Sequence, residues 1–198
     1  MSEEHLLHQA IQRHIKKIGI PDIVIANAGV STGTLNGERE DLVTFKRMMD
    51  INLYGVMHTF LPFIHAFKKR KSGQLVGIAS VAGIRGLPGS GAYSASKAAL
   101  INYLESMRIE MLPFNIQVTT IAPGYIKTPM THSNPYAMPF ILEVDKAVTL
   151  FIKAIDQKKK FIIIPWQMNI VGKLMRLLPA SVWDFLAKRG PKKLRAMI

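Results

Sequence analysis

Tyr93 and Lys97 stand four residues apart at the start of a segment of helical period, so a phenol and an ammonium share one helix face, one turn from each other. A tyrosine on its own is a poor acid or base at neutral pH, because its pKa lies near 10. A neighbouring ammonium favours phenolate and lowers that value, giving a group that can donate or accept a proton at working pH. A Tyr/Lys pair at this spacing is commonplace on helix surfaces. Here it is joined by Ser80, thirteen residues before Tyr93 and just past an apolar run. Small residues around the pair, Ser94, Ala95, Ser96, Ala98 and Ala99, let the helix pack closely.

The elements that must position these groups are readable from four short apolar runs, Asp22–Ala26, Gln74–Ile78, Gln117–Ile121 and Phe161–Ile164. Each is rich in Ile or Val, and three are continuously apolar rather than alternating, as in strands covered on both faces. Between them lie segments of helical period at about 44–70, where Pro62 is expected to bend the helix, about 92–112 and about 145–156. Strands alternating with helices imply parallel βαβ units. In open parallel sheets a ligand lies beyond the carboxyl ends of the strands. The residues at those positions are small or polar: Asn27-Ala28-Gly29, Ser80 and Pro123-Gly124. One shared crevice is expected there.

In the same order along the chain stand Asn27-Ala28-Gly29, Ile51-Asn52-Leu53-Tyr54-Gly55, Ser80-Val81-Ala82-Gly83, Tyr93-Ser94-Ala95-Ser96-Lys97 and Pro123-Gly124-Tyr125-Ile126-Lys127-Thr128. With these five elements the chain resembles a short-chain dehydrogenase/reductase from about residue 20 to residue 165. The resemblance implies an α/β fold, a Rossmann-like doubly wound parallel sheet, and an NADP- or NAD-dependent oxidoreductase acting on a small carbonyl or alcohol substrate. It implies that Tyr93 is the general acid in carbonyl reduction and the base in oxidation. Ser80 would hydrogen-bond the same oxygen and stabilise its developing charge. Lys97 would lower the Tyr93 pKa and hold the nicotinamide ribose, and Asn52 would fix a water linking Lys97 to solvent. Asn27, Ala28 and Gly29 would line the adenosine-side ribose, and Pro123, Gly124, Ile126 and Thr128 would hold the nicotinamide. Structural duties compete with some of these roles: a tight turn at Ala28-Gly29, a bond from Asn52 to its own helix, a cap from Thr128. Gly86-Leu87-Pro88-Gly89-Ser90-Gly91 has the wrong spacing for a dinucleotide-binding glycine loop and reads as the turn that delivers Tyr93.

Family members normally open with a strand, a G-x-x-x-G-x-G loop and further strands that have no counterpart here. On the order of 60 residues are expected to be missing, since each βαβ unit takes about 30. The fold expected is therefore a doubly wound sheet lacking its first strands and glycine-rich loop. The choice between NAD and NADP is unreadable without the second strand. The strand Asp22–Ala26 would become an exposed apolar edge, with a helix over His5–Lys17 covering part of it.

Composition bounds the remaining possibilities. The chain has 198 residues, 48% hydrophobic and 20% charged, which fits a globular domain. It has no cysteine, and its six histidines are scattered, so no metal site is expected. His58 and His65 read as surface or packing residues on one helix face. The N-terminus lacks a signal-peptide pattern and no apolar stretch reaches about 20 residues, so a cytoplasmic protein is expected. Residues 153–198 hold eleven Lys/Arg against Asp156 and Asp184, a net +9 of the chain's +13. No nucleic-acid-reading motif accompanies that charge, and no nucleic-acid partner is expected.

We divide the chain at 165, with a partial Rossmann catalytic domain over 1–165 and a basic, apolar helical tail over 166–198. The tail's Trp166, Ile170, Leu174, Leu177, Leu178, Trp183, Phe185 and Leu186, with Lys188, Arg189, Lys192, Lys193 and Arg195, suit peripheral contact with a membrane surface. The same apolar residues would alternatively cover the substrate pocket or a subunit contact, and a homo-oligomer is expected. Ser181 with Asp184 reads as a helix start. Pro129, Met130, Tyr136, Met138, Pro139 and Phe140 occupy the family's substrate loop and point to an apolar substrate. The other function class left open is a non-catalytic remnant serving as a membrane-docking or interaction module.

Overall fold

The structure, a computed structural model, describes residues 4–132, 134–188, 190 and 193–195. Four strands form one parallel sheet in the order β1-β2-β3-β4: β1 Ile23–Ala26, β2 Gly73–Ile78, β3 Ile116–Pro123 and β4 Phe161–Ile164. The register is continuous from Ile23 opposite Gln74, through Leu75 opposite Val118, to Ile163 opposite Ala122. These bounds fall within two residues of the four apolar runs. The reason is that β2 and β3 are buried on both faces, which favours mainly apolar residues with few polar ones.

Helices cover both faces. On one side lie α1 (Glu4–Ile18), α3 (Gly55–Arg70) and α4 (Gly91–Met111), with Phe60, Phe67, Leu100 and Leu104 fully buried against Leu75 and Val118. On the other side α6 (Val144–Asp156) sets Ala147, Ala154 and Ile155 against Val76, Ile121 and Ile164. A polar pin ties this second face together, as Gln74 Nε2 donates to Thr119 Oγ1 and to the Ile155 carbonyl, both at 3.0 Å. The cover stops short of β1. Val24 and Ala26 are buried, whereas Ile23 is 43% and Ile25 50% exposed, and among the described residues no strand pairs with the outer edge of β1. The helix over His5–Lys17 forms as α1 but packs on α3, leaving that edge open.

The segment expected as one helix bent at Pro62 is built differently. α2 (Asp41–Met49) passes into a π-helical turn at Asp50–Tyr54 and then into α3, which continues past Pro62 to Arg70. The irregularity belongs to Asp50–Tyr54 because that turn points Asn52 into the interior, where it is fully buried.

After β4 the chain folds back on the sheet unit. α7 (Trp166–Leu177) packs on β4 through buried Met168 and Gly172, and Arg85 Nη1 donates to the carbonyls of Met175 and Leu178, both at 2.8 Å. α8 spans Ala180–Ala187, beginning one residue ahead of Ser181, with Pro179 at its N-cap. Trp183 Nε1 donates to the Gly86 carbonyl at 3.2 Å while its ring receives Arg85. Trp183, Lys193 and Arg195, grouped above with the membrane-facing set, therefore make internal contacts. Arg189 and Lys192 lie outside the described residues. Among the described residues no helix is long and apolar enough to cross a membrane.

Candidate active site

The carboxyl ends of β1, β2 and β3 open into one cavity of about 480 Å³. Asn27, Ala28, Gly29, Ser80, Tyr93, Lys97, Pro123, Gly124, Ile126 and Thr128 all line it, so ten of the eleven residues singled out above meet there. Asn52 stands just behind.

Ser80 leaves β2 in extended conformation, and its Oγ accepts the Ala82 N–H at 3.1 Å, capping a single turn at Val81–Gly83. That turn lies against α4 so closely that a Cβ on Gly83 would stand 2.6 Å from the Lys97 carbonyl carbon. Only glycine permits this approach, which brings Ser80 to the tyrosine one turn earlier on α4. The Ser80 hydroxyl also lies 3.5 Å from the Pro123 carbonyl at the end of β3. The glycine-rich turn before Tyr93 is fastened at both ends: Ser90 N–H donates to the Leu87 carbonyl at 3.0 Å, and Ala92 N–H to Thr34 Oγ1 at 3.2 Å.

Tyr93 is partly buried, and burial raises its phenol above the ordinary tyrosine value, while a hydrogen bond with Ser80 pulls it back. Lys97 is 4% exposed, and burial brings its ammonium down from 10.5 to about 8. Its Nζ donates to the Ile78 carbonyl at 2.8 Å and sits 6.0 Å from the Tyr93 ring centre. Burial is the larger influence on Tyr93, with the Ser80 hydrogen bond opposing it, while the Lys97 ammonium is engaged by the Ile78 carbonyl at the end of β2.

Asn52 does not bond its own helix. Its Oδ1 accepts the Val30 N–H at 2.8 Å, and its Nδ2 donates to the Val30 carbonyl and to Ser96 Oγ, each at 3.0 Å. Ser96 Oγ in turn donates to the Tyr93 carbonyl at 2.9 Å. One amide therefore joins the loop after β1 to the first turn of α4. A Cβ on Gly29 would lie 3.2 Å from Asn52 Oδ1 and 3.4 Å from Lys97 Nζ, so the chain passes tightly over both.

The loop after β3 is held by the Gly124 N–H on the Ile164 carbonyl at 2.8 Å and the Lys127 N–H on the Leu142 carbonyl at 2.9 Å. Thr128 stands at the start of the next helical turn: its N–H donates to Thr131 Oγ1 at 3.0 Å and its carbonyl accepts the His132 N–H at 3.0 Å. Beyond it come α5 (Pro129–His132) and a second pair of phenols. The rings of Tyr125 and Tyr136 meet edge to face at 6.3 Å, and burial, with Tyr125 and Tyr93 nearby, pushes Tyr136 up to about 12. Leu87, Met130 and Met168 supply apolar wall. Sequence reasoning gave no role to Tyr125, Ser31, Asn134 or Met168, and gave Lys193 only a place in the basic tail, yet all of them line the cavity. Tyr125 lay inside a quoted motif and was legible; the others arrive from loops and from the tail, where no periodic pattern marks them.

The family model described as short chain dehydrogenase matches residues 1–138. An uncharacterized oxidoreductase of Myxococcus xanthus is 38% identical over 168 residues, 85% of this chain and 66% of that protein. The 3-oxoacyl-acyl-carrier-protein reductase of Thermotoga maritima is 31% identical over 137 residues, 68% of this chain and 54% of that one. The solved structure of 4-hydroxyisoleucine dehydrogenase complexed with NADH superposes with a TM-score of 0.68 at 27% identity, covering 82% of this chain and 75% of that one. The chain spans between about half and two thirds of the length of the curated relatives it matches. A family match over most of its length, on a parallel sheet with helices on both faces, places this chain in the short-chain dehydrogenase family.

Proposed function

We propose that the chain carries the catalytic half of an NAD- or NADP-dependent oxidoreductase that interconverts an apolar carbonyl compound and its alcohol, with Tyr93 as the general acid/base. The observation that carries this reading is the bonded Ser80–Tyr93 pair in one cavity with buried Lys97. A nicotinamide cofactor fits the residues present. Gly29 and Gly124 bring bare backbone to the cavity wall, and Lys97 offers a buried ammonium beside Gly29 that no carboxylate among the described residues neutralises. Asn27, Ala28, Gly29 and Lys97 would hold its riboses, and Pro123, Gly124, Ile126 and Thr128 its nicotinamide. Bound there, the cofactor supplies or accepts hydride.

The protein's own residues supply the rest. With its pKa raised by burial, Tyr93 keeps its proton at neutral pH, which suits donation to a carbonyl oxygen. Ser80 offers that oxygen a second hydrogen bond and is held in place by the Ala82 N–H. Lys97 keeps positive charge below about pH 8 and so favours phenolate once the proton has left. Asn52 is a positioning residue that sets α4 against the loop after β1.

The apolar substrate class rests on Leu87, Ile126, Met130 and Met168 in the cavity wall. The test is a panel of aldehydes, ketones, sugars and steroids, assayed with NADH and NADPH on a form of the protein that carries the family's glycine-rich unit ahead of β1. Turnover rising with substrate hydrophobicity supports the reading, and a preference for sugars contradicts it.

A second reading, a membrane-docking role for residues 166–198, is favoured by one observation. Trp166, Ile170, Leu174 and Leu177 form an exposed stripe along α7, edged by Lys173 and Arg176, with Phe185 and Leu186 exposed on α8. This apolar and basic surface has the chemistry of an interfacial helix. It is compatible with catalysis, since Met168 of the same helix faces the cavity.

A further inference from the structure

The catalytic cavity includes one residue from the far end of the chain. Lys193 reaches its wall and donates to Ser31 Oγ at 3.1 Å and to the Met130 carbonyl at 3.4 Å. Its backbone is strapped down. The Leu194 carbonyl accepts the Gly33 N–H at 2.9 Å and Thr32 Oγ1 at 3.2 Å. Arg195 then forks onto Asp41, Nε to Oδ2 at 3.1 Å and Nη2 to Oδ1 at 3.0 Å, and the same carboxylate accepts the Leu35 N–H at 2.7 Å. A Cβ on Gly33 would stand 2.8 Å from the Leu194 carbonyl oxygen, so the crossing requires glycine at that point. Lys193 is thus delivered to the cavity by backbone anchored at Leu194 and Arg195.

What surrounds its ammonium is uneven. Both partners are neutral oxygens, and among the described residues no carboxylate pairs with it. Burial lowers its pKa with no opposing cause. A half-buried cation facing a mainly apolar cavity is costly unless an anion joins it, and the nearby acidic residue, Asp41, is already taken by Arg195.

We propose that Lys193 is an anion-recognition residue, and that the cavity takes a carbonyl compound with an apolar body and an anionic head, a carboxylate or a phosphate monoester. The head pairs with Lys193 while the reactive carbon lies by Ser80 and Tyr93. This deepens the oxidoreductase reading and rests on it for the word substrate, but binding of the head group needs neither cofactor nor turnover.

The experiment is therefore a binding measurement on the full 198-residue chain, by ligand-observed NMR at low protein concentration, with octanoate, octyl phosphate and 2-octanone as probes. Expected in the wild type is binding of at least one anionic probe about tenfold or more tighter than the ketone, as for a charge-assisted contact. Lys193→Gln should erase that preference, Lys193→Arg should restore it, and Lys173→Gln on the exposed face of α7 should leave it intact. Octanoate and octyl phosphate separate the two head groups. Equal binding of anions and ketone, or a preference that survives Lys193→Gln, overturns the proposal. So does a Lys193 dependence seen for NADH alone, which would make Lys193 a ligand of the cofactor phosphates. Loss of activity on replacing Tyr93 is a separate matter that none of these probes reads.

Discussion

Replacing Lys97 by methionine should make the chain more stable while removing the ammonium on which the proposed chemistry relies. The ammonium is 4% exposed and its pKa falls from 10.5 to about 8, with burial as the cause. At about 1.4 kcal/mol for each tenfold change in proton affinity, holding that charge costs about 3 kcal/mol at neutral pH. The sign follows from protons bound. Below pH 8 the lysine is charged in both states and the full cost applies. Between pH 8 and 10.5 the folded form is neutral while the unfolded form still binds a proton, so stability climbs with pH. Methionine keeps the volume and removes the charge, but it orphans the Ile78 carbonyl that Lys97 satisfies, a loss of about 1 kcal/mol. The net expectation is a gain of about 2 kcal/mol at pH 7 that shrinks toward zero, and then reverses slightly, by pH 10.5. Urea unfolding of wild type and Lys97→Met at several pH values reads it directly. A variant that is less stable than wild type at pH 7, or one with the same pH slope between 8 and 10.5, would refute the reasoning. A residue whose removal stabilises the fold is one retained for function.

Two further outcomes concern the chain as a whole. Titrated with NADH or NADPH, the 198-residue chain should show no saturable binding at micromolar levels and should run as an oligomer or aggregate, because Ile23 and Ile25 expose an unpaired apolar edge and the glycine-rich unit is not among its elements. A soluble monomer that binds either cofactor tightly would contradict this. In liposome flotation, recovery should rise with anionic lipid and fall on replacing Trp166 and Leu177 by serine; equal recovery on neutral and anionic vesicles would remove the electrostatic part of the docking reading.

The strands and the residues that line the cavity were legible in the sequence for a common reason. A buried parallel strand needs an uninterrupted apolar run, and the residue after it needs to be small or polar to face a ligand, so both leave local marks. Leu75, Val76 and Ser80 show the pattern within six residues. The π turn at Asp50–Tyr54 left no such mark, because the partner of its Asn52 is the Val30 backbone, remote in sequence. The tail was misjudged in part for the same reason. Composition makes Trp183, Lys193 and Arg195 look like surface, and only their partners Gly86, Ser31 and Asp41, remote in sequence, turn them inward. The Tyr93 pKa likewise depends on its burial and on its bond with Ser80, which spacing on a helix does not specify.

The central claim, that Tyr93 transfers the proton at this site, is tested most directly by Tyr93→Phe in a form of the protein carrying the glycine-rich unit. The variant removes a hydroxyl and little volume, so kcat should fall by about 10²-fold or more while the Kd for NADH or NADPH stays within about twofold. Wild-type kcat in Tyr93→Phe would contradict the account.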